Sequence, residues 1–320
     1  MIDTHCHLNF KVFDGLVESV IERAKNAGIS QFVVPGTDVA TSKKAVELAE
    51  KYPEVYAAVG IHPHHVFELF QSTKKFSQDQ LAFPAKGGES VVPRSSSESE
   101  VSRRNSLVQT PDFRKFFVSL LDQIKRLLVH PKVVAVGEVG LDKHYYQQTK
   151  YKDYQINAEF LDLQKTLFKE QIKLAVKYKK SLIIHSREAA EETLSIIGDS
   201  SILGSLAGRI VFHCCEANKQ LLEFALAHRI YIGVDGDVTY SKEKQEFVRN
   251  LPLELLVLET DSPFLTPEPL RSEQSSKPLI NEPKNIKIIA EKISVLKKAG
   301  VKEIKKSSEK NTYKLFFLKN

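Results

Sequence analysis

Eight short apolar runs, each followed by a stretch of helical spacing, constrain this 320-residue chain more than any other feature. The runs are "MIDTHCHL", "QFVVPGT", "VYAAVGIHP", "KVVAVGEVGLD", "KSLIIHSR", "GRIVFHCC", "IYIGVDG" and "ELLVLETDSP". Their near-continuous Val, Ile and Leu character suits parallel strands covered on both faces. Between them, "FDGLVESVIERAKNAG" places Leu16, Val17, Val20, Ile21, Ala24 and Ala27 on one stripe, with Gly28 at the C-terminal cap. Helical spacing continues over Ser42–Tyr52, Phe113–Leu128, Phe160–Tyr178, Ala189–Ile197 and Asn218–His228. The alternation predicts an α/β chain, a (β/α)8 TIM barrel forming a single domain over residues 1–320. A doubly wound open sheet is the competing arrangement, but no glycine-rich dinucleotide loop follows the first strand.

One segment breaks the pattern. Residues 71–112 are rich in Ser, Pro, Gly and mixed charge, and cannot bury enough apolar surface to offset their ordering entropy. A disordered insertion in the third βα loop is expected, on the barrel face where catalytic residues gather. Within it, "RRNSL" resembles a basic-directed kinase site at Ser106.

The three cysteines, Cys6, Cys214 and Cys215, are too few and too badly spaced for a disulfide framework or a cysteine zinc site. With no signal peptide ahead of the first strand and no membrane-length apolar run, a monomer of the cytoplasm or nucleus without membrane contact is expected. The net charge of +6 is uneven. Residues 262–320 carry 13 basic and 6 acidic side chains, leaving 33 and 34 for the rest. A solvated helix face explains such a lysine excess, and so does a surface that attracts phosphate.

Residues able to bind metal fall at one end of the predicted strands. His5 and His7 sit two apart on the first strand, hence on one face and about 7 Å apart along the chain. Glu138 closes the fourth strand, His185 the fifth, His213 the sixth and Asp261 the eighth. In a barrel these strand ends ring one mouth. Four imidazoles and two carboxylates exceed one tetrahedral catalytic site but suffice for two ions bridged by a carboxylate. Such pairs, about 3.5–4 Å apart, assist phosphoryl displacement. The mixed nitrogen and oxygen set suits zinc or manganese, with magnesium admissible. Cys6 and Cys214 each neighbour one of these residues, so alternation points both away from the mouth.

In order along the chain, "DTHCHL", "GIHP", "GEVGLD", "IHSR", "FHC", "LETDSP" and "NEP" resemble the successive motifs of the TatD family of metal-dependent deoxyribonucleases, a group of amidohydrolase-type barrels. The resemblance implies that His5, His7 and Asp261 bind one divalent ion, His185 and His213 a second, and Glu138 both. It implies catalytic roles for Glu138 and Asp261, the latter accepting a proton from the attacking water or orienting it. It further implies that His62 and Arg187 face the scissile phosphate of a DNA substrate. His62 as a loop cap, and Arg187 in a salt bridge with Asp142, are the structural alternatives. "HCCEAN" departs from the family's usual "HCF", which leaves the local substrate wall open. Tyr145, Tyr146, Tyr151 and Tyr154 are candidates for stacking bases. Expected activity is deoxyribonuclease, an exonuclease on single strands. The competing readings are hydrolysis of another bond such as an aminoacyl ester of tRNA, and a non-catalytic scaffold.

Overall fold

The computed structural model of the chain describes residues 1–68, 70–71, 111–147, 149, 151, 154–273 and 280–318. Residues 72–110, nearly all of the predicted insertion and including Ser106, lie outside them. Eight strands form one parallel sheet in chain order: β1 (Ile2–Asp3), β2 (Gln31–Pro35), β3 (Val55–Val59), β4 (Val133–Asp142), β5 (Ser181–Arg187), β6 (Ile210–Phe212), β7 (Tyr231–Val234) and β8 (Leu256–Leu258). The seam between β8 and β1 closes through Thr4 N–H to Leu258 O at 3.1 Å, Asp261 N–H to His5 O at 2.9 Å and His7 N–H to Ser262 O at 2.7 Å. The fold is the (β/α)8 barrel that the alternation predicts.

Local chemistry starts and stops the helices. Asp38 caps the helix Val39–Lys51 by accepting from Thr41 N–H at 2.7 Å while Thr41 Oγ1 accepts from Asp38 N–H at 2.9 Å. The first helix, Val17–Asn26, buries Val17, Val20, Ile21 and Ala24, leaving Leu16 half-exposed at its N-cap. Gly28 follows it at φ +88°, the left-handed geometry that ends helices cheaply only with glycine. The helix expected from Phe113 begins at Pro111.

Alternate strand residues face opposite ways. Val34, Val59, Val136, Ile184 and Phe212 join the large core beneath the helices. Val33, Ala58, Ala135, Ile183, Val211, Tyr231 and Val257 form a second cluster with Leu315 and Phe316. Those two residues end the last helix, Val301–Phe316. Leu315 O accepts from Ser181 Oγ, on the first residue of β5, at 2.5 Å. The lysine-rich C-terminal helix therefore buries its end at the N-terminal side of the strands, opposite the mouth.

Candidate metal centre

The sequence places His5 and His7 at the end of a first strand, but the strand stops at Asp3. The Asp3 carboxylate is the cause. Its Oδ1 accepts from His5 N–H at 3.2 Å and Thr260 N–H at 3.1 Å, and its Oδ2 from Thr260 Oγ1 at 2.6 Å. The chain bends at Thr4 and then threads between two neighbours, with Cys6 N–H bonded to Val33 O and His7 N–H to Ser262 O. The two imidazoles still converge, their Nε2 atoms 3.3 Å apart, and His7 lines the cavity.

Glu138 lies inside β4, four residues before its end. Val136 pairs with Leu182 and Val139 with Ile184, so β4 holds one extra residue there. Such a bulge re-aims a side chain. Close packing permits it only with glycine on either side. A Cβ on Gly137 would lie 2.6 Å from Ile183 Cβ, and one on Gly140, at φ +146°, only 1.9 Å from His185 O. His185 lies two residues before the end of β5, and His213 directly follows β6. Asp261 stands three residues beyond β8 in the left-handed region, φ 49°, a conformation that Asp tolerates better than most residues.

Glu138 occupies the middle. Its Oε2 lies 3.5 Å from His5 Nε2 and 3.6 Å from His7 Nε2, with Asp261 Oδ1 3.4 Å from His7 Nε2. Its Oε1 lies 2.8 Å from His185 Nδ1 and 2.6 Å from His213 Nε2. Four groups of donors able to share an ion result among the described residues. Two of them, His5–His7–Asp261 and Glu138–His185–His213, have no residue in common and meet at Glu138. The mixed imidazole and carboxylate chemistry of both fits a divalent ion of the zinc or manganese kind.

Charge is distributed accordingly. Burial disfavours ionisation of Glu138, yet the His213 and His62 rings and hydrogen bonds from His185 and His213 hold its carboxyl well below the ordinary range. Burial and the neighbouring His213 ring push His5 down to about 4, so its ring is neutral. Burial works against protonated His185 as well, but Asp142 and Glu138 outweigh it and lift that ring to about 10.

His62 caps its own turn, as the structural alternative read from the sequence has it. Its Nδ1 accepts from His64 N–H at 3.1 Å, while Nε2 lies 3.3 Å from Glu138 Oε1. Arg187 lines the same cavity without bonding Asp142. Tyr146 stands between them, donating its hydroxyl proton to Asp142 Oδ2 at 2.8 Å and accepting from Arg187 Nη1 at 3.0 Å. The guanidinium lies over the Tyr146 ring, 5.2 Å from its centroid.

One expectation fails. Strand alternation turns Cys214 away from the mouth, but Cys214 lines the cavity. Its φ of 43° puts the backbone in the left-handed region just past β6, where alternation no longer applies. Cys6 does point into the core.

Several buried titratable groups at the site have no counterpart in the strand-end reading. Glu259 Oε1 accepts from Cys214 N–H at 2.5 Å, and burial pushes its carboxyl well above the ordinary range. Lys244, also buried, pairs with Asp237 at 3.3 Å and donates to Cys215 O. A lysine on a helix gives no hint in sequence that it will be buried. The carboxylates do, since Glu259 and Asp235 directly follow strands.

The sequence profile described as "TatD related DNase" matches residues 2–317. YabD, named an uncharacterised metal-dependent hydrolase of Bacillus subtilis, is 31% identical over 318 residues, covering 99% of this chain and 98% of its own. A protein of Erwinia tasmaniensis named 3'-5' ssDNA/RNA exonuclease TatD is 26% identical, covering 99% of this chain and all of its own. The crystal structure of YjjV, a TatD homologue from Escherichia coli, superposes with a TM-score of 0.72 at 26% identity, covering all of this chain and 98% of its own.

Proposed function

Because this chain belongs to the TatD family and is a metal-dependent hydrolase of ester bonds, we propose that its substrate is single-stranded DNA, from which it removes nucleotides at an end. The observation that carries this reading is the division of Glu138, whose two oxygens face different histidine pairs. His5, His7 and Asp261 would hold one divalent ion, His185 and His213 a second, and Glu138 both. Zinc and manganese suit mixed oxygen and imidazole donors of this kind, and magnesium, which prefers oxygen, is admissible. Two ions held there would supply an acidified water and neutralise charge during a phosphoryl displacement.

The chain's own groups supply the rest. Asp261 accepts a proton from the attacking water or orients it. Arg187 presents a guanidinium fork to the phosphate oxygens, held by its bond to the Tyr146 hydroxyl. His62, its Nε2 turned to the cavity, approaches the phosphate from the third strand's end. The end-trimming mode is drawn from the Erwinia relative, named as a 3'-5' exonuclease.

The test is incubation of the metal-loaded protein with end-labelled single-stranded DNA, RNA and an aminoacyl-tRNA. Progressive shortening of the DNA is expected. Amino-acid release without shortening would assign another ester as the substrate. With both ions bound and no turnover of any of the three, the barrel would be a scaffold.

A further inference from the structure

Two phenylalanines stand at the mouth on turns fixed by residues of the candidate metal centre. Phe10 N–H donates to His7 O at 3.0 Å, and Phe264 N–H to Asp261 O at 2.9 Å. Each ring thus lies three residues beyond a metal-centre residue, and closure of β8 onto β1 brings the two together. The Phe10 ring stacks on His7, centroids 4.2 Å apart at 16°, and Phe264 meets Phe10 edge-on at 6.1 Å. Phe264 nevertheless leaves 51% of its surface in solvent.

Both rings line two spaces at once. On one side is the metal cavity, about 540 Å³. On the other is a cleft of about 560 Å³ whose charged walls are Lys11, Lys44 and Asp14. The pair therefore forms a ridge between a hydrolytic centre and a basic groove. Lys44 pairs with Asp14, while Lys11 is exposed and makes no ion pair among the described residues. Of the four tyrosines nominated in sequence for base stacking, Tyr145 is exposed but does not line the metal cavity, and the other three are engaged otherwise. Tyr146 carries Arg187 on its ring, Tyr154 is buried against His64 and Phe67, and Tyr151 is hydrogen-bonded to His65.

Resting on the nuclease reading above, we propose that Phe10 and Phe264 form a nucleobase-stacking ridge. The phosphate under attack lies at the metal centre, a base flanking it lies on Phe264, and the strand continues into the cleft of Lys11 and Lys44. Stacking on an aromatic ring is tolerant of sequence because every base has a π face. It also favours single strands, since the bases of a duplex are already stacked on one another.

The chain contains no tryptophan, so Phe264→Trp places a lone indole on the ridge. The zinc-loaded variant would be titrated with a short phosphorothioate-linked oligothymidylate and with an abasic strand of the same length. Quenching by the first and little by the second is expected. In steady-state assays on single-stranded DNA, Phe264→Ala should raise KM about tenfold, as loss of one base stack implies, and Phe264→Tyr should restore it. If anisotropy shows the labelled oligothymidylate bound while the indole emission stays constant, or if the abasic strand quenches equally, the ridge is wrong and the nuclease reading stands. If the wild-type protein neither binds nor cleaves single strands, both are overturned.

Discussion

The Nε2 atom of His185 lies 3.2 Å from Oδ2 of Asp142, a carboxylate with no exposed surface. That bond leaves Nδ1 of the same ring 2.8 Å from Glu138. A carboxylate that holds the far nitrogen of an imidazole fixes its tautomer and its aim. Asp142→Asn should therefore weaken the ion assigned to His185 about 10–100-fold, with the ion assigned to His5 and His7 little changed. Isothermal titration of the metal-free variant would show one weakened and one ordinary site. Two ordinary sites would mean that Asp142 only packs.

Two divalent ions per chain are expected at saturation, because one carboxylate faces both donor groups. Elemental analysis checks the number. Ions that bind only the folded chain also stabilise it, by about 2.7 kcal/mol when free ion exceeds Kd a hundredfold. Chelation should accordingly lower the Tm. One ion at saturation, with His185 and His213 free, would remove the two-ion mechanism.

Glu138→Gln should lower turnover by several orders of magnitude, since a neutral amide cannot replace a carboxylate between two ions. Asp261→Asn should do likewise. Cys6→Ala, whose side chain packs into the core, should retain most activity. Native turnover by Glu138→Gln at native metal content would place the activity elsewhere.

The pH dependence has a definite sign. In the metal-free protein the folded-state pKa of His185 is raised from 6.5 to about 10, Asp142 and Glu138 outweighing burial. A raised histidine contributes stability that is complete below its unfolded pKa and lost as pH climbs through the folded one. An ion on Nδ1 needs the neutral ring, so its affinity rises over the same window. The Tm difference between loaded and chelated protein should widen from pH 6.5 to 10, and should widen less if His185 held no ion and only the raised His7 ring competed with protons. Asp142 behaves oppositely. Burial would raise it, but the His185 hydrogen bond lowers it to about 2 from 3.8, so its contribution disappears as pH falls between those values.

Arg187 should matter to substrate more than to folding. Arg187→Lys keeps the charge and loses the fork and the ring contact. Its kcat/KM on single-stranded DNA should fall by about 10–100-fold, the loss of one or two charge-assisted bonds, with Tm nearly unchanged. Tyr146→Phe should reproduce a smaller part of that loss, because the stacked ring remains while the hydroxyl that accepts from Arg187 is gone. A large drop in Tm with unchanged KM would make Arg187 structural.

The eight strands and the residue types at their ends were legible in sequence, because both rest on local periodicity. The alternation of strands with helices pointed to the barrel. Apolar runs such as "SLIIH" and "RIVFH" specify buried strands whatever surrounds them, and the barrel brings their ends to one mouth. What periodicity cannot specify is direction once the chain leaves regular strand geometry. The bulge at Gly137 and Glu138, the bend at Thr4 and the left-handed Cys214 and Asp261 decide which atoms face the cavity. Alternation therefore misplaces Cys214. Long-range pairing is equally invisible. Phe10 meets Phe264, and Asp3 meets Thr260, only because β8 closes onto β1. Tyr146 comes between Asp142 and Arg187 only because β4 pairs with β5. Composition and spacing set the chemistry available, and the closed sheet decided which atoms share it.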